Sequence, residues 1–535
     1  MSKTLEHSPV SLSSTQRNIA LMALCGVLFL TFLDTTIASV ALGNIQSDLH
    51  AGVSDLQWVV SGYSLVFASL MLMAGAIADR VGRRNVLLIG VVIFCVGSVL
   101  AAAATSIAML IAGRAVMGLG AAASEPGTLA MIRQIYREPG PRARAIGLWV
   151  ATAGAALALG PVVGGLLIAA ADWRAIFWFN LALGALLLVI ALVYVPKDSN
   201  LLAKGGLDLG GFVFGAAFLA CGAFAIIDGE TAGYDSTGVI TLFVISGLAL
   251  LVFLLVERAA KVPMIPRTHL GRVVNSSLLV NFAMYFGVFS IFFFTALYLQ
   301  EVLAYSGGRI AATFAPMAIT LIISSIVSGR WVARVGPRTP MAVGCAVAAI
   351  GIALTDVAVV RGGSTVEIAV PLGVAGVGFG LGIVPTTTAV LSAVPADHAG
   401  VAASMVNTAR QIGAVVGVAV LGSMVISTMT SDLTTRMNKL GVGDYRSIVL
   451  NALYTGRVPS GGSGTVSQYQ HSYGSIVTTV VNAAYGAFRS GLEVSLVIAA
   501  VVIAVAAIIA LFAQPSRQED LETVPDLAGA PLEGC

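Results

Sequence analysis

Charge is what this sequence has least of. Asp, Glu, Lys and Arg make up 10% of its 535 residues, against about 25% in an ordinary soluble protein. With 57% hydrophobic residues and a mean hydropathy of +0.93, the chain reads as a polytopic membrane protein. Cysteine is scarce and odd in number, and Cys25, Cys95, Cys221 and Cys345 all fall inside apolar runs, which excludes a disulfide framework. Five scattered histidines lack metal-ligand spacing, and no phosphate-cradling Gly-rich loop precedes a Lys-Ser/Thr pair. The expectation is therefore a protein that is not an enzyme, holds no metal or cofactor, and draws energy from an ion gradient. A net charge of +3 is too small to attract nucleic acid.

What is there in abundance is apolar length. A membrane-crossing helix needs roughly 20 apolar residues. Fourteen runs qualify, at 18–42, 57–79, 84–104, 106–132, 143–171, 174–195, 208–228, 238–256, 273–302, 308–333, 339–360, 367–394, 399–427 and 491–512. No cleavable signal precedes them, since residues 1–17 are polar and the first run is long enough to span. Basic residues decide the orientation. With the N-terminus inside, the inner segments hold 19 Lys and Arg, and the short outer loops hold only Arg174, Arg309 and Arg361. Both termini are thus expected in the cytoplasm.

The segment Gly75-Ala-Ile-Ala-Asp-Arg-Val-Gly-Arg-Arg84 recurs in outline as Gly329-Arg-Trp-Val-Ala-Arg-Val-Gly-Pro-Arg338. Both join two apolar runs by a tight turn, so the chain reads as internally duplicated, the pattern of two-bundle transporters. The repeat divides the chain into a cytoplasmic N-terminus (1–17), a six-helix bundle (18–195), two inserted spans with linkers (196–272) and a second six-helix bundle (273–512). That last bundle includes a long outer loop, 428–490, and an acidic tail, 513–535, reads as disordered. The fold class expected is all-α and polytopic, two pseudo-symmetric six-helix bundles plus two inserted helices.

These motifs resemble the major facilitator superfamily, specifically its drug:proton antiporter branch with fourteen spans. Gly75–Arg84 matches the superfamily's signature loop. Phe32-Leu-Asp-Thr-Thr-Ile-Ala-Ser-Val-Ala-Leu42, Ile111-Ala-Gly-Arg-Ala-Val-Met-Gly-Leu-Gly120 and Gly154 with Gly160-Pro-Val-Val-Gly-Gly165 match branch motifs of the first, fourth and fifth spans, and Asn407-Thr-Ala-Arg-Gln-Ile-Gly413 is similar to one in the thirteenth. The chain departs from the branch at Ser39, where Asn is usual, at Gly43, where Pro is usual, and at Glu125 before Pro126.

A carboxylate deep in a membrane helix is a functional candidate by default. Asp34 and Arg114 both lie about 12 Å from the outer surface at roughly 1.5 Å per residue, so a pair is geometrically possible; the resemblance implies that they couple transport to protons. Apolar surroundings and a guanidinium act on a carboxylate in opposite senses, which would poise Asp34 to gain and lose a proton. For the signature loop (Gly75, Asp79, Arg80, Gly82, Arg83) the resemblance implies a gate, with Asp79 facing a helix start near Ala399. Gly154, Gly160, Pro161, Gly164 and Gly165 form the antiporter motif. Within it Ala156, Gly160 and Gly164 recur every fourth residue as a small-residue face, with Ser324, Ser325, Ser328 and Gly329 as its expected counterpart across the bundle interface. Glu125, Tyr285, Phe289, Asn407 and Arg410 are candidates for the substrate cavity, Glu125 as a cation-binding group or a second proton site; the alternative for Glu125 and Arg410 is a satisfied ion pair within each one's own bundle. The implied function is proton-coupled export of small amphipathic drugs or antibiotics across a bacterial cytoplasmic membrane by a monomer in the lipid bilayer. Dedicated export of an endogenous metabolite or lipid is the alternative.

Overall fold

The structure is a computed structural model that describes residues 13–49, 51, 53–197, 209–260, 270–303, 305, 307–395, 398–440 and 476–513. The expectations for the N-terminal segment, the linker centres, the Gly-Ser-rich tip of the outer loop and the acidic tail lie outside these residues, as do the side chains of Ser39, Gly43 and Pro161.

The described residues are helical almost throughout: α1 (Ser14–Val40), α2 (Leu42–Leu49), α3 (Val53–Val81), α4 (Arg83–Ala102), α5 (Ile107–Ile135), α6 (Pro139–Ala170), α7 (Arg174–Tyr194), α8 (Leu209–Ala232), α9 (Thr237–Ala259), α10 (Arg272–Leu297), α11 (Gly307–Val335), α12 (Arg338–Val360), α13 (Thr365–Ala393), α14 (Ala399–Lys439) and α15 (Ile476–Ala513). Helix starts are written locally. Ser13 and Gln16 form a reciprocal capping box on α1, and Ser364 and Glu367 form another on α13. Pro139 opens α6, where its missing N–H leaves nothing unsatisfied.

Eleven of these helices are long and apolar enough to cross a membrane, and α3 makes a twelfth as two segments bent by 51°. The expected count of fourteen is not reached on this measure, because α8 contributes only a shorter apolar stretch, Val213–Ile226, and α6 is not among the qualifying helices.

Packing reveals the duplication. In the first bundle α1 packs on α6, α3 on α5, α4 on α5 and on α7. In the second, α10 packs on α14, α11 on α13, α12 on α13 and on α15, pair for pair. The two bundles meet along two seams, α3 against α14 and α6 against α11, which exchange under the same correspondence. Inserted helix α8 lies against α9, α3 and α14, with Trp58 and Phe224 in ring contact at 4.7 Å. It therefore covers the α3–α14 seam.

The segment 428–490, expected as a long outer loop that is partly ordered, is helical at both ends. Helix α14 runs on to Lys439 and α15 begins at Ile476. Met429, Leu433 and Met437, spaced every fourth residue, bury themselves against Ala483, Ala484 and Ala487 in a small core of their own. Asp432 accepts from Arg436 and Ser490, each at 2.8 Å. An apolar stripe extending past the bilayer-length run kept the helices going.

The two repeated loops share their geometry. Gly82 and Gly336 both have positive φ, 117° and 81°, a region that side-chain-bearing residues enter at a cost. Gly336→Ala is expected to cost about 1–2 kcal/mol, visible as a lower melting temperature of the purified protein.

Candidate functional site

Three polar constructions interrupt the apolar interior, and each has a distinct position. The first lies inside the first bundle. Asp34 on α1 is fully buried and paired with Arg114 on α5, itself fully buried. Asn180 on α7 donates its amide to the other carboxylate oxygen at 2.7 Å. Arg114 also donates Nε to the Val59 carbonyl at 2.9 Å and lies over the Tyr63 ring, 4.6 Å from its centre. Tyr63 in turn donates its hydroxyl to the Thr31 carbonyl, 3.1 Å away on the same helix as Asp34. The Asp34–Arg114 pair and the groups around it thus join four helices. Breaking such a buried pair by removing one partner costs about 3–5 kcal/mol, so the arrangement can change only if a proton or another charge replaces the lost partner. Arg114 Nη2 and Asn180 Oδ1 have no hydrogen-bond partner, so each keeps bonding capacity for such a rearrangement.

The second construction crosses between bundles. Glu125, at the proline-containing middle of α5, is ion-paired with Arg410 of α14. The pair lies across the seam between the bundles rather than within one of them. The guanidinium is flanked by Phe32 at 4.7 Å, Tyr285 at 5.6 Å and Trp149 at 5.8 Å from the ring centres. Trp149 is held by its indole N–H on the Thr128 hydroxyl, 3.0 Å away. Phe289 stacks beside Tyr285, ring centres 6.3 Å apart. Asn407 is buried on α14 with both amide atoms unpartnered. The other aromatics of α10 divide between packing and the outside: Phe286 and Phe294 are buried, Phe293 is half exposed.

The third lies at the face where α1 begins. Asp79, at the end of α3, accepts from the backbone N–H of Gly400 at 2.7 Å and of Val401 at 2.8 Å, the first turn of α14 in the opposite bundle. Arg83 donates to the same carboxylate at 2.8 Å. A carboxylate on the first N–H groups of a helix satisfies orphan donors and meets the positive end of the dipole. Glycine permits the approach: a Cβ on Gly400 would lie 2.3 Å from Asp79 Oδ1, and one on Gly75 would lie 1.7 Å from the Ser404 hydroxyl. Arg142 reaches the Ser392 hydroxyl at 2.8 Å, Arg133 the Pro395 carbonyl at 3.3 Å, and Ser404 the Met71 carbonyl at 3.2 Å, all across the bundle boundary. Arg80 stands half-buried next to Asp79 in the chain, and Arg84 turns away to the Leu192 carbonyl at 2.6 Å. At the pseudo-equivalent place on the other seam Ala333 faces Gly140. Among the described residues, the carboxylate latch stands on one seam.

The antiporter motif is placed differently from its expected counterpart. Gly160 packs on Thr36 and Ile37 of α1 within its own bundle, and Gly165 meets nothing within 4 Å. The seam with α11 is instead made nearer the start of α6, where Gly147 abuts Ser325 and Gly329, and Gly154 abuts Leu321. Ser324 and Ser328 point into the second bundle, donating to carbonyls of α13. A helix spaced by four presents its small residues on one stripe, but it twists past its neighbour, so the two ends of the stripe meet different helices.

Sequence reasoning missed Asn180, Tyr63, Trp149, Gly400 and the Arg142–Ser392 contact. Asn180 carried a signal, being a polar side chain in the middle of an otherwise apolar span. The others are ordinary residues whose partners lie far along the chain.

Comparison with known proteins places this geometry. The family model described as Major Facilitator Superfamily matches residues 24–418. Multidrug resistance protein Stp of Mycobacterium tuberculosis is 34% identical over 414 residues, 77% of this chain and 76% of its own. The tetracenomycin C resistance and export protein of Streptomyces glaucescens is 30% identical over 532 residues, 96% of this chain and 95% of its own. Among solved structures, the proton:xylose symporter XylE superposes with a TM-score of 0.61 at 13% identity, covering 96% of this chain and 99% of that one, a likeness of fold. Family match, relatives and fold agree: the chain belongs to the Major Facilitator Superfamily, and is a membrane transporter rather than an enzyme.

Proposed function

We propose that this transporter exports small amphipathic drugs or antibiotics across the bacterial plasma membrane in exchange for protons, as a monomer working by alternating access. The observation that carries the proton part is Asp34: a buried carboxylate held by one guanidinium and one amide, joined to helices α1, α3, α5 and α7. The names of the relatives, multidrug resistance and antibiotic export, support the substrate part.

The face with Asp79 is the cytoplasmic one in this reading, because the arginines of the signature loop and of the α5–α6 turn gather there. Both termini then lie inside, and the latch closes the cytoplasmic end. Protonation of Asp34 from outside loosens its hold on Arg114 and Asn180. Helix α1, which carries Asp34, Thr31 and the Thr36–Gly160 contact, is free to shift against α6, and the bundles rock until the latch opens. Release of the proton inside resets the pair.

The test is transport into inside-out vesicles under an imposed pH gradient, with cationic, neutral and anionic fluorescent compounds. At least one compound is expected to accumulate and to leak out when nigericin collapses the gradient. Accumulation that persists after collapse contradicts proton coupling, and a panel in which nothing moves contradicts drug export.

A further inference from the structure

The pair joining the bundles is electrically neutral as it stands. Glu125 is wholly buried and Arg410 is 2% exposed. Polar atoms around them nevertheless lack close partners: Glu125 Oε2, both amide atoms of Asn407, and Arg410 Nε and Nη1, toward which the Tyr285 hydroxyl is the nearest polar group. Asn407 lies three residues before Arg410, on the same face of α14. Buried polar atoms ordinarily find partners, so these atoms, set among the flat rings of Phe32, Trp149 and Tyr285 around Arg410, have bonding capacity to offer a ligand.

Charge decides which guest. A ligand that takes the place of either partner splits the pair, and a split leaves one ion uncompensated unless it can be neutralised. Arg410 cannot discharge, because a guanidinium keeps its proton in proteins. A cation seated on Glu125 would therefore strand it. An oxyanion seated on Arg410 strands Glu125 instead, and a carboxylate can accept a proton. The charged or titratable groups acting on Glu125 are Arg410 on α14, Tyr285 on α10 and Tyr63 on α3, while Asp34 is already held by Arg114 and Asn180.

We infer that the seam site takes planar aromatic substrates bearing an oxyanion, a carboxylate or an enolate, seated on Arg410 between the aromatic side chains while Glu125 holds a proton. The ligand oxygens replace Glu125 on the guanidinium, and Glu125 takes up one proton from the bulk solution as the ligand binds. Arg favours this class because its planar fork matches a carboxylate and stacks on rings. The inference rests on the export reading and names its substrate class.

Binding needs no gradient, so it can fail separately from export. The purified protein in lipid nanodiscs is titrated with three probes sharing one ring: anthracene-9-carboxylate, its carboxamide and 9-(aminomethyl)anthracene as the ammonium. The carboxylate is expected to bind at least tenfold more tightly than the other two, and more tightly at pH 6 than at pH 8. Glu125→Gln is expected to raise carboxylate affinity about tenfold further and to remove its pH dependence; a gain of affinity is not what a folding defect produces. Arg410→Gln is expected to erase the preference for the carboxylate. Tighter binding of the ammonium probe, or weaker carboxylate binding in Glu125→Gln, overturns the assignment. Should the carboxylate bind as described while no probe moves along a pH gradient, the export reading falls and the site stands.

Discussion

Asp34→Asn is expected to yield an inserted, folded protein that no longer couples transport to a pH gradient. The substitution keeps the shape of the side chain and its contact with Asn180, which lies 2.7 Å from Asp34 Oδ1. What it removes is the one group at that position able to carry a proton. It also strands Arg114 in an apolar interior, and breaking a buried pair costs about 3–5 kcal/mol, partly offset here by the Val59 carbonyl and the Tyr63 ring. Arg114→Leu should cost less, because Asp34 can then become a neutral acid while Arg114 in the first variant cannot lose its charge. The double variant Asp34→Asn/Arg114→Leu removes both ions and should recover melting temperature relative to Asp34→Asn, since neutral replacements of buried pairs are often tolerated. It should remain uncoupled. Recovery of stability without recovery of transport separates a working pair from a structural one. Proton-driven efflux at the wild-type rate in Asp34→Asn would defeat the proposal.

Gly400→Ala is the second large effect. Its added methyl would lie 2.3 Å from Asp79 Oδ1 and 2.6 Å from the Asp79 Cγ, far inside contact distance, so the carboxylate must leave the first turn of α14. Two charge-assisted bonds go with it, from Gly400 and Val401, each worth about 1.5–3 kcal/mol. The closed end at Asp79, cytoplasmic in the proposed orientation, is then expected to open more often. In a background with the native cysteines replaced, a cysteine substituted for Ser404, which is fully buried at the seam, should react with a membrane-impermeant maleimide from the cytoplasmic side at least tenfold faster when Gly400→Ala is present. An unchanged rate would mean that Asp79 is not what keeps this face shut.

Much of this was legible in the sequence because membranes make rules strict. Apolar length placed nearly every helix, since backbone polar groups in lipid must be satisfied within the helix. The repeat of Gly82 at Gly336 announced the duplication because both turns need the same unusual backbone. Asp34 and Arg114 could be matched by depth, because an unpaired charge there has few alternatives. What stayed hidden depends on which neighbour a helix face meets. The stripe of Gly160 and Gly164 was visible, but that Gly160 rests on Thr36 while Gly147 meets Ser325 depends on the tilt of α6. Glu125 and Arg410 were each visible as deep charges, yet their union needed α5 and α14, remote in sequence, to face one another across the seam. The continuation of α14 beyond residue 427 was written in Met429, Leu433 and Met437, a periodic signal that a search for apolar length overlooks.

The central claim is that Asp34 carries the proton exchanged for substrate, and proton movement itself tests it most directly. Proteoliposomes loaded with a pH-sensitive dye are given a pH gradient and then a compound that the wild type transports. Addition is expected to accelerate decay of the gradient in wild-type vesicles and to leave it unchanged in vesicles holding Asp34→Asn. Equal, substrate-stimulated proton flux in both would place the coupling elsewhere in the molecule.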